Sequence, residues 1–278
     1  MDDALNRAVA KAMREAARRA ILPRYVPGQA LAADFKSVGE AVTAADRESE
    51  AILTEQLQPL LPGANVVGEE AAHHDSALLD LLGQGTCWII DPLDGTGNFA
   101  AGQQPFGMLV ALADQGLPVA GWILDPVTDR FCAAQAGCGA TIDGEHFHVP
   151  QMAPPRPLVA VTKLFADQAF RNQIMHALGG EFDMVDSPRC AADQYPRVAT
   201  SGNHATLFTR TIAWDHAAGV VFLNEAGGQA LRQDGTPYRC DEPDAGLVIA
   251  TSSSHWQAVV NALDKAGLEL GGAHLASH

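Results

Sequence analysis

The stretch that decides the fold lies between residues 88 and 99 and reads Trp88-Ile89-Ile90-Asp91-Pro92-Leu93-Asp94-Gly95-Thr96-Gly97-Asn98-Phe99. Its apolar start predicts a short buried strand that delivers Asp91 and Asp94 to its end. Pro92 stiffens the backbone between the two acids, and Gly95 permits a turn into a helix start. Such a turn can direct both carboxylates at one point, where they suit a hard divalent cation such as Mg²⁺. On spacing alone, an ordinary structural turn explains the pattern equally well, because Asp and Gly are favoured there in any case.

Two further segments carry acids in comparable settings. Residues 66–70 read Val-Val-Gly-Glu-Glu, with the acids directly after a short apolar run. Residues 214–228 begin with Trp-Asp, continue as an apolar helix and end in Glu-Ala-Gly-Gly. An acid at a helix start is commonly only a cap. Three such segments in one chain favour a common acidic site.

The three segments together resemble the inositol monophosphatase family of lithium-sensitive, metal-dependent phosphatases. That family is marked by G-E-E, D-P-[IL]-D-G-T-x-N-F and W-D-x-A-A-G…E-A-G-G segments, and all three occur here in this order. Lys36-Ser37 and the run Val42-Thr43-Ala44-Ala45-Asp46 resemble a fourth, N-terminal element. The resemblance spans residues 36–228.

The resemblance implies a site with two or three Mg²⁺ ions and a water-based mechanism. The metal ligands that it implies are Glu69, Asp91, the Leu93 carbonyl, Asp94 and Asp215. It also implies that Gly95 and Thr96 hold the phosphate through their amides, that Asp46 and Thr96 orient and deprotonate the attacking water, and that Glu69 belongs to the catalytic group. We therefore expect hydrolysis of a small inositol- or sugar-phosphate-like monoester, and the family also suggests a homodimer.

The expected substrate pocket departs from the family pattern. The family's inositol enzymes carry a glutamate seven residues before the W-D aspartate, and this chain has Phe208 there. The usual small G-[ST]-A-A segment is Arg189-Cys190-Ala191-Ala192. Arg189 is expected either to hold a second anionic group or to form a surface ion pair. Two alternative activities therefore stay open, a 3′(2′),5′-bisphosphate nucleotidase and a histidinol phosphatase, and so does a catalytically silent metal-binding regulator.

Other candidate residues have ordinary structural explanations. His73 and His74 are expected in a solvated loop. The side chain of His216 is expected to point away from that of Asp215, because consecutive helical residues face different directions. Tyr195 and Cys190 fit either a pocket wall or the core.

Composition and charge narrow the function class. The 278 residues carry 33 acidic against 18 basic side chains, a formal charge of -15, which disfavours nucleic-acid and membrane partners. The 5 cysteines form no C-x-x-C pair, so neither a disulfide framework nor a zinc site is indicated. The sequence has no signal-peptide core and no apolar run long enough to span a bilayer. We expect a cytoplasmic protein.

The predicted elements indicate a layered α/β protein of the α+β type, with an α-β-α-β-α order of layers and largely antiparallel sheets. Helices are expected from Leu5 to near Pro23 and from Thr43, as N-cap, to about Leu60. Antiparallel strands are expected over residues 107–149. The Pro-rich stretch 150–157 suggests a division into an N-terminal lobe, residues 1–150, with the metal and phosphate motifs, and a C-terminal lobe, residues 151–278, with Asp215 and the substrate pocket.

Overall fold

Helices and strands follow one another in blocks along the chain. The computed structural model describes residues 3–30, 34–37, 40–42, 44–150, 154–161 and 168–271. The α-helices in this described part have the bounds α1 (Asp3–Ala16), α2 (Ala44–Leu57), α3 (Glu69–His74), α4 (Thr96–Ala100), α5 (Gln168–Leu178), α6 (Ala191–Ala199), α7 (Ala213–Glu225) and α8 (Ser253–Lys265). The strands there are β1 (Asp34–Ser37), β2 (Glu40–Val42), β3 (Asn65–Gly68), β4 (Thr86–Asp94), β5 (Gly107–Asp114), β6 (Leu117–Leu124), β7 (Phe131–Gln135), β8 (Ala140–Ile142), β9 (Glu145–Phe147), β10 (Leu158–Val161), β11 (Asp183–Asp186), β12 (Ala205–Phe208), β13 (Gln229–Leu231) and β14 (Leu247–Ala250).

Two large sheets dominate the fold. The first has the strand order β3-β4-β5-β6-β7-β8-β9, and its pairs are antiparallel except for β3 with β4. The second has the order β11-β10-β12-β14-β13 and contains two parallel pairs, β10 with β11 and β10 with β12. Strands β1 and β2 form a separate antiparallel pair.

Three apolar clusters define the layers. Strand β4 shows how they arise, because its side chains alternate between the two faces of the first sheet. Trp88 and Ile90 pack with residues of α1 and α2 on one face, while Cys87 and Ile89 pack with α6 and α7 on the other. The opposite face of the second sheet packs on α5 and α8. The order is therefore helices, sheet, helices, sheet, helices, which confirms the predicted α-β-α-β-α sandwich.

Helix α7 occupies the middle of this sandwich and is buried from Ala213 through Leu223 except at Asp215. Small residues let its neighbours come close. A Cβ on Gly121 of β6 would collide with the backbone of Ala218, and one on Gly219 would collide with the ring of Tyr195. The cluster around α7 joins residues from both halves of the chain. The division into two lobes at residue 150 stays a prediction.

Most predicted elements occur close to their expected bounds. The N-terminal helix continues from α1 through a π-helical segment, Ala17–Ile21, and a 3-10 turn, Leu22–Arg24. Helix α2 is followed by a 3-10 turn, Gln58–Leu60, whereas the expected N-cap Thr43 lies outside the described residues. None of the described helices is long and apolar enough to traverse a bilayer.

Candidate active site

The end of β4 forms the turn that the sequence predicted. The pairing of β4 with β5 is irregular between Asp91 and Asp94, so the strand bulges where the acids lie. The backbone N–H of Leu93 donates to Asp91 Oδ1 over 3.0 Å, which fixes the first carboxylate inside the turn. Gly95 follows with φ +80°, a left-handed conformation that favours glycine, and caps helix α4. A side chain there would also press against the Pro105 carbonyl at 2.9 Å.

Helix α2 lies against this turn and contributes Asp46. The carboxyl of Asp46 is buried, and its Oδ1 accepts from the Thr96 hydroxyl over 3.3 Å. The same hydroxyl lies 2.8 Å from the Leu93 carbonyl oxygen. The structure thus brings Asp46, Thr96 and the Leu93 carbonyl together.

Asp91 is the centre of the acidic site. Its side chain is only 1% exposed. Burial raises the pKa of Asp91 well above its usual range, and the negative charges of Glu69, Asp94, Asp215 and Asp46 raise it further. Carboxylates from four separate segments of the chain therefore act on one buried carboxyl group.

The Asp94 carboxyl is held by the start of helix α6. The backbone N–H of Ala192 donates to Asp94 Oδ2 over 2.6 Å. Burial raises the pKa of Asp94 from 3.8 to about 6, although hydrogen bonds from Ala192, Cys190, Gly95 and Ala191 oppose the rise. Local sequence patterns do not predict the Ala192 contact, because it joins residues 98 positions apart.

Helix α3 carries the acids of the G-E-E segment. Glu69 is half-buried and Glu70 is buried. His73 and His74 lie in the last turn of the same helix and are exposed, so the prediction of a loop was wrong because the helix extends through both residues. His73 offers a nitrogen within 4.8 Å of ligand atoms of Glu69 and Glu70. Its ring lies 5.9 Å from that of Trp214, the neighbour of Asp215.

His216 belongs to an aromatic group beneath the site. Its Nδ1 lies 2.9 Å from the hydroxyl of Tyr195, and its ring meets the edge of Phe208 at 4.6 Å. Burial lowers the pKa of His216 to about 3, and the cation of Arg232 acts in the same direction. The imidazole is therefore neutral at physiological pH.

The residues expected in the substrate pocket differ in exposure. Phe208 is 8% exposed and stacks on the fully buried Tyr195 with ring centroids 6.1 Å apart, so both rings belong to the core. Cys190 is also buried, with Sγ 3.9 Å from the carbonyl oxygen of Asp94, and burial raises the pKa of its thiol. Ala191, 8% exposed, opens helix α6.

Arg189 is the exposed member of that set. It has φ +59° although it is not glycine. Asn98 of the central motif donates to the carbonyl of Pro188 over 3.1 Å, which ties the segment before Arg189 to helix α4. Among the described residues, no ion pair to the Arg189 guanidinium is found. The surface ion pair considered from the sequence is therefore absent from this part of the chain.

The donor set fits divalent cations. Next to burial, the largest effects on the pKa of Asp91 come from the negative charges of other carboxylates. Bound cations stabilise such a concentration of negative charge. Carboxylate and carbonyl oxygens are the ligands that Mg²⁺ prefers. Of the four buried cysteines, Cys190 lies against Asp94, and burial raises the pKa of its thiol, which disfavours the thiolate that a metal would require.

Comparisons with known proteins agree with this geometry. The family model described as "Inositol monophosphatase family" matches residues 5–267. An inositol-1-monophosphatase of Bacillus subtilis (strain 168) is 30% identical over 207 residues, which cover 72% of this chain and 75% of the relative. One from Mesorhizobium japonicum is 29% identical over 249 residues, covering 85% and 88%. The crystal structure of the extragenic suppressor protein suhB from Bartonella henselae has a TM-score of 0.81 at 24% identity and covers 95% of this chain and 99% of that chain.

A layered α/β sandwich with this acidic centre and these relatives defines a phosphoric monoester hydrolase, whose substrate is a small phosphorylated molecule. The chain belongs to the inositol monophosphatase family.

Proposed function

We propose that the protein hydrolyses a small phosphate monoester with Mg²⁺ and an activated water molecule. The observation that carries the proposal is the convergence of Asp46, Glu69, Asp94 and Asp215 on the buried Asp91. Glu69, Asp91, the Leu93 carbonyl, Asp94 and Asp215 would hold two or three Mg²⁺ ions. The bound metal would lower the pKa of water and neutralise the phosphate dianion.

The remaining residues position the reactants. Thr96 and Asp46 are hydrogen-bonded to each other, so a water molecule beside them can be oriented by the hydroxyl and can pass its proton to the carboxylate. The amide of Thr96 at the start of α4, together with that of Gly95, would hold a phosphate oxygen. Glu69, from helix α3, would act with this pair in addition to holding metal.

The substrate proposal concerns the part of the substrate that lies beyond the phosphate that is removed. Arg189 is exposed beside Cys190 and Ala191, which border Asp94, and its guanidinium suits a second anionic group. Because the Phe208 ring packs on Tyr195 and His216, stacking of a nucleotide base on that ring requires the ring to leave the core. We therefore propose that a monoester with a second anionic group is preferred, whether it is a sugar phosphate or an inositol phosphate that carries an additional anionic group, or a 3′(2′),5′-bisphosphate.

Phosphate release from a panel of monoesters tests the function. The panel contains inositol monophosphate, a sugar bisphosphate, an adenosine bisphosphate and histidinol phosphate, each with Mg²⁺, with chelator and with Mg²⁺ plus lithium. We expect release that depends on Mg²⁺ and is inhibited by lithium. Release that is unchanged by chelator would refute the metal mechanism, and no release from any member would favour the catalytically silent alternative.

Two further properties belong to the same proposal. The free cysteines of the described chain suit a reducing compartment, which supports a cytoplasmic location. A homodimer is proposed from the family resemblance, and light scattering of the purified protein measures it directly.

A further inference from the structure

Helix α2 contacts two segments of the site, residues 88–99 and the start of helix α3, through one of its faces. Asp46, Ser49 and Glu50 have the spacing i, i+3 and i+4, which places them side by side on a helix. Asp46 accepts a hydrogen bond from the Thr96 hydroxyl, and the Ser49 hydroxyl donates one to the carbonyl of Pro92 over 3.1 Å. Glu50 reaches the other segment, the start of helix α3.

The Glu50 carboxylate caps that helix with both oxygens. Its Oε2 accepts the backbone N–H of Glu70 over 2.8 Å, and its Oε1 accepts that of Ala71 over 2.9 Å. The residue is only 7% exposed, and these two bonds compensate part of the cost of burying its charge. Gly68 makes room for the carboxylate, because a Cβ at this position would collide with it.

These bonds act directly on the backbone of Glu69. The nitrogen of Glu70 belongs to the peptide unit that joins it to Glu69, so holding its N–H restricts the orientation of that unit. Gly68, on the other side of Glu69, is the end of strand β3. The backbone of Glu69 is therefore restrained on both sides, by the sheet and by the Glu50 carboxylate.

We propose that Glu50 is a positioning residue that orients Glu69 for metal binding. The inference rests on the proposed metal-dependent function and adds a residue to it. Residues that orient metal ligands commonly contribute 10–100-fold to metal affinity, which is the effect we expect here.

The experiment measures Mn²⁺ affinity by electron paramagnetic resonance, without substrate, for the full-length protein and its variants. Glu50→Gln keeps the shape of the side chain but replaces one carboxylate oxygen with an NH₂ group. This group cannot accept a hydrogen bond from the backbone N–H that it faces, so one of the two bonds is lost. Glu50→Asp keeps the charge and shortens the side chain by about 1.5 Å. Glu48→Gln is the matched control, because Glu48 lies on the same helix and instead pairs with Arg24 at 2.7 Å.

We expect both Glu50 variants to bind Mn²⁺ about 10–100-fold more weakly than wild type, and Glu48→Gln to bind as wild type. Each melting temperature is also measured in chelator and in saturating Mg²⁺. The rise that Mg²⁺ produces for wild type should shrink for the Glu50 variants, since a protein is stabilised according to its metal affinity.

Several results would overturn the proposal. If Glu50→Asp retains full affinity while Glu50→Gln loses it, the charge matters and the position of the carboxylate does not. If the melting temperature falls equally with and without Mg²⁺, or if the Glu50→Gln protein does not fold, the cap is purely structural. Wild type that binds no Mn²⁺ would instead refute the proposed function itself, so the two failures are distinguishable.

Discussion

Replacing Asp94 with asparagine should stabilise the metal-free protein while abolishing most of its activity. Burial holds the pKa of Asp94 near 6 instead of 3.8, so the folded state binds the proton more tightly than the unfolded state. A carboxyl group whose pKa is raised in the folded state stabilises that state fully below about pH 4. This contribution is lost as the pH rises through about 6. The difference between the two pKa values corresponds to about 3 kcal/mol at neutral pH.

Asp94→Asn removes this titration with little change of shape. Its side-chain oxygen can still accept the N–H of Ala192, so the contact with helix α6 remains. Urea unfolding in chelator at pH 7.5 should show the variant more stable than wild type by on the order of 1–3 kcal/mol. The advantage should shrink towards pH 4, where the wild-type carboxyl becomes protonated.

The activity of the same variant should fall about a hundredfold or more in Mg²⁺, because a charged metal ligand is lost. The same unfolding experiment in saturating Mg²⁺ should then favour wild type, which gains stability by binding the metal. A variant that is less stable than wild type in chelator at pH 7.5, or a difference that does not depend on pH, would refute the reasoning about the burial of Asp94.

Three further predictions concern neighbouring groups. Arg189→Ala should raise KM most for substrates with two anionic groups, measured by steady-state kinetics across the panel, and an equal effect on all substrates would exclude a direct contact. Thr96→Val should lower kcat about 10²–10⁴-fold with Mn²⁺ affinity retained, because the hydroxyl that orients the water is lost; kcat within threefold of wild type would contradict this role. Tyr195→Phe should lower the free energy of unfolding by about 1–3 kcal/mol in urea, because the buried His216 Nδ1 loses its partner. Tyr238→Phe is the control, since its hydroxyl bond is longer, 3.4 Å, and an equal loss there would contradict a specific role of the Tyr195 hydroxyl.

The sequence predicted the layers and the main turn because both depend on local information. The short continuous apolar run Trp88-Ile89-Ile90 predicts a buried strand, and because successive side chains of a strand point to opposite faces, the run is buried on both. The turn at Gly95 is encoded by its own residue type, which suits the observed φ of +80°.

The contacts that hold the acids were not predictable in the same way. Ala192 holds Asp94 through a backbone N–H, which any residue type supplies, so no sequence signal marks it. The environment of Phe208 depends on which strand and helix pack over it, a matter of tertiary structure alone. Glu50 did carry a signal, its spacing from Asp46 along helix α2, but the partner at the start of α3 becomes visible only in the fold.

Helix α7 and the residues packed against it tolerate fewer substitutions than the exposed positions around the site. Its close contacts, Ala218 against Gly121 and Gly219 against Tyr195, leave no space for larger side chains, so substitutions there disturb both sheets and Asp215 together. Arg189 and His73 lie at exposed positions where most side chains fit. New substrate preferences can therefore arise by mutation at these exposed positions while the acidic interior stays the same.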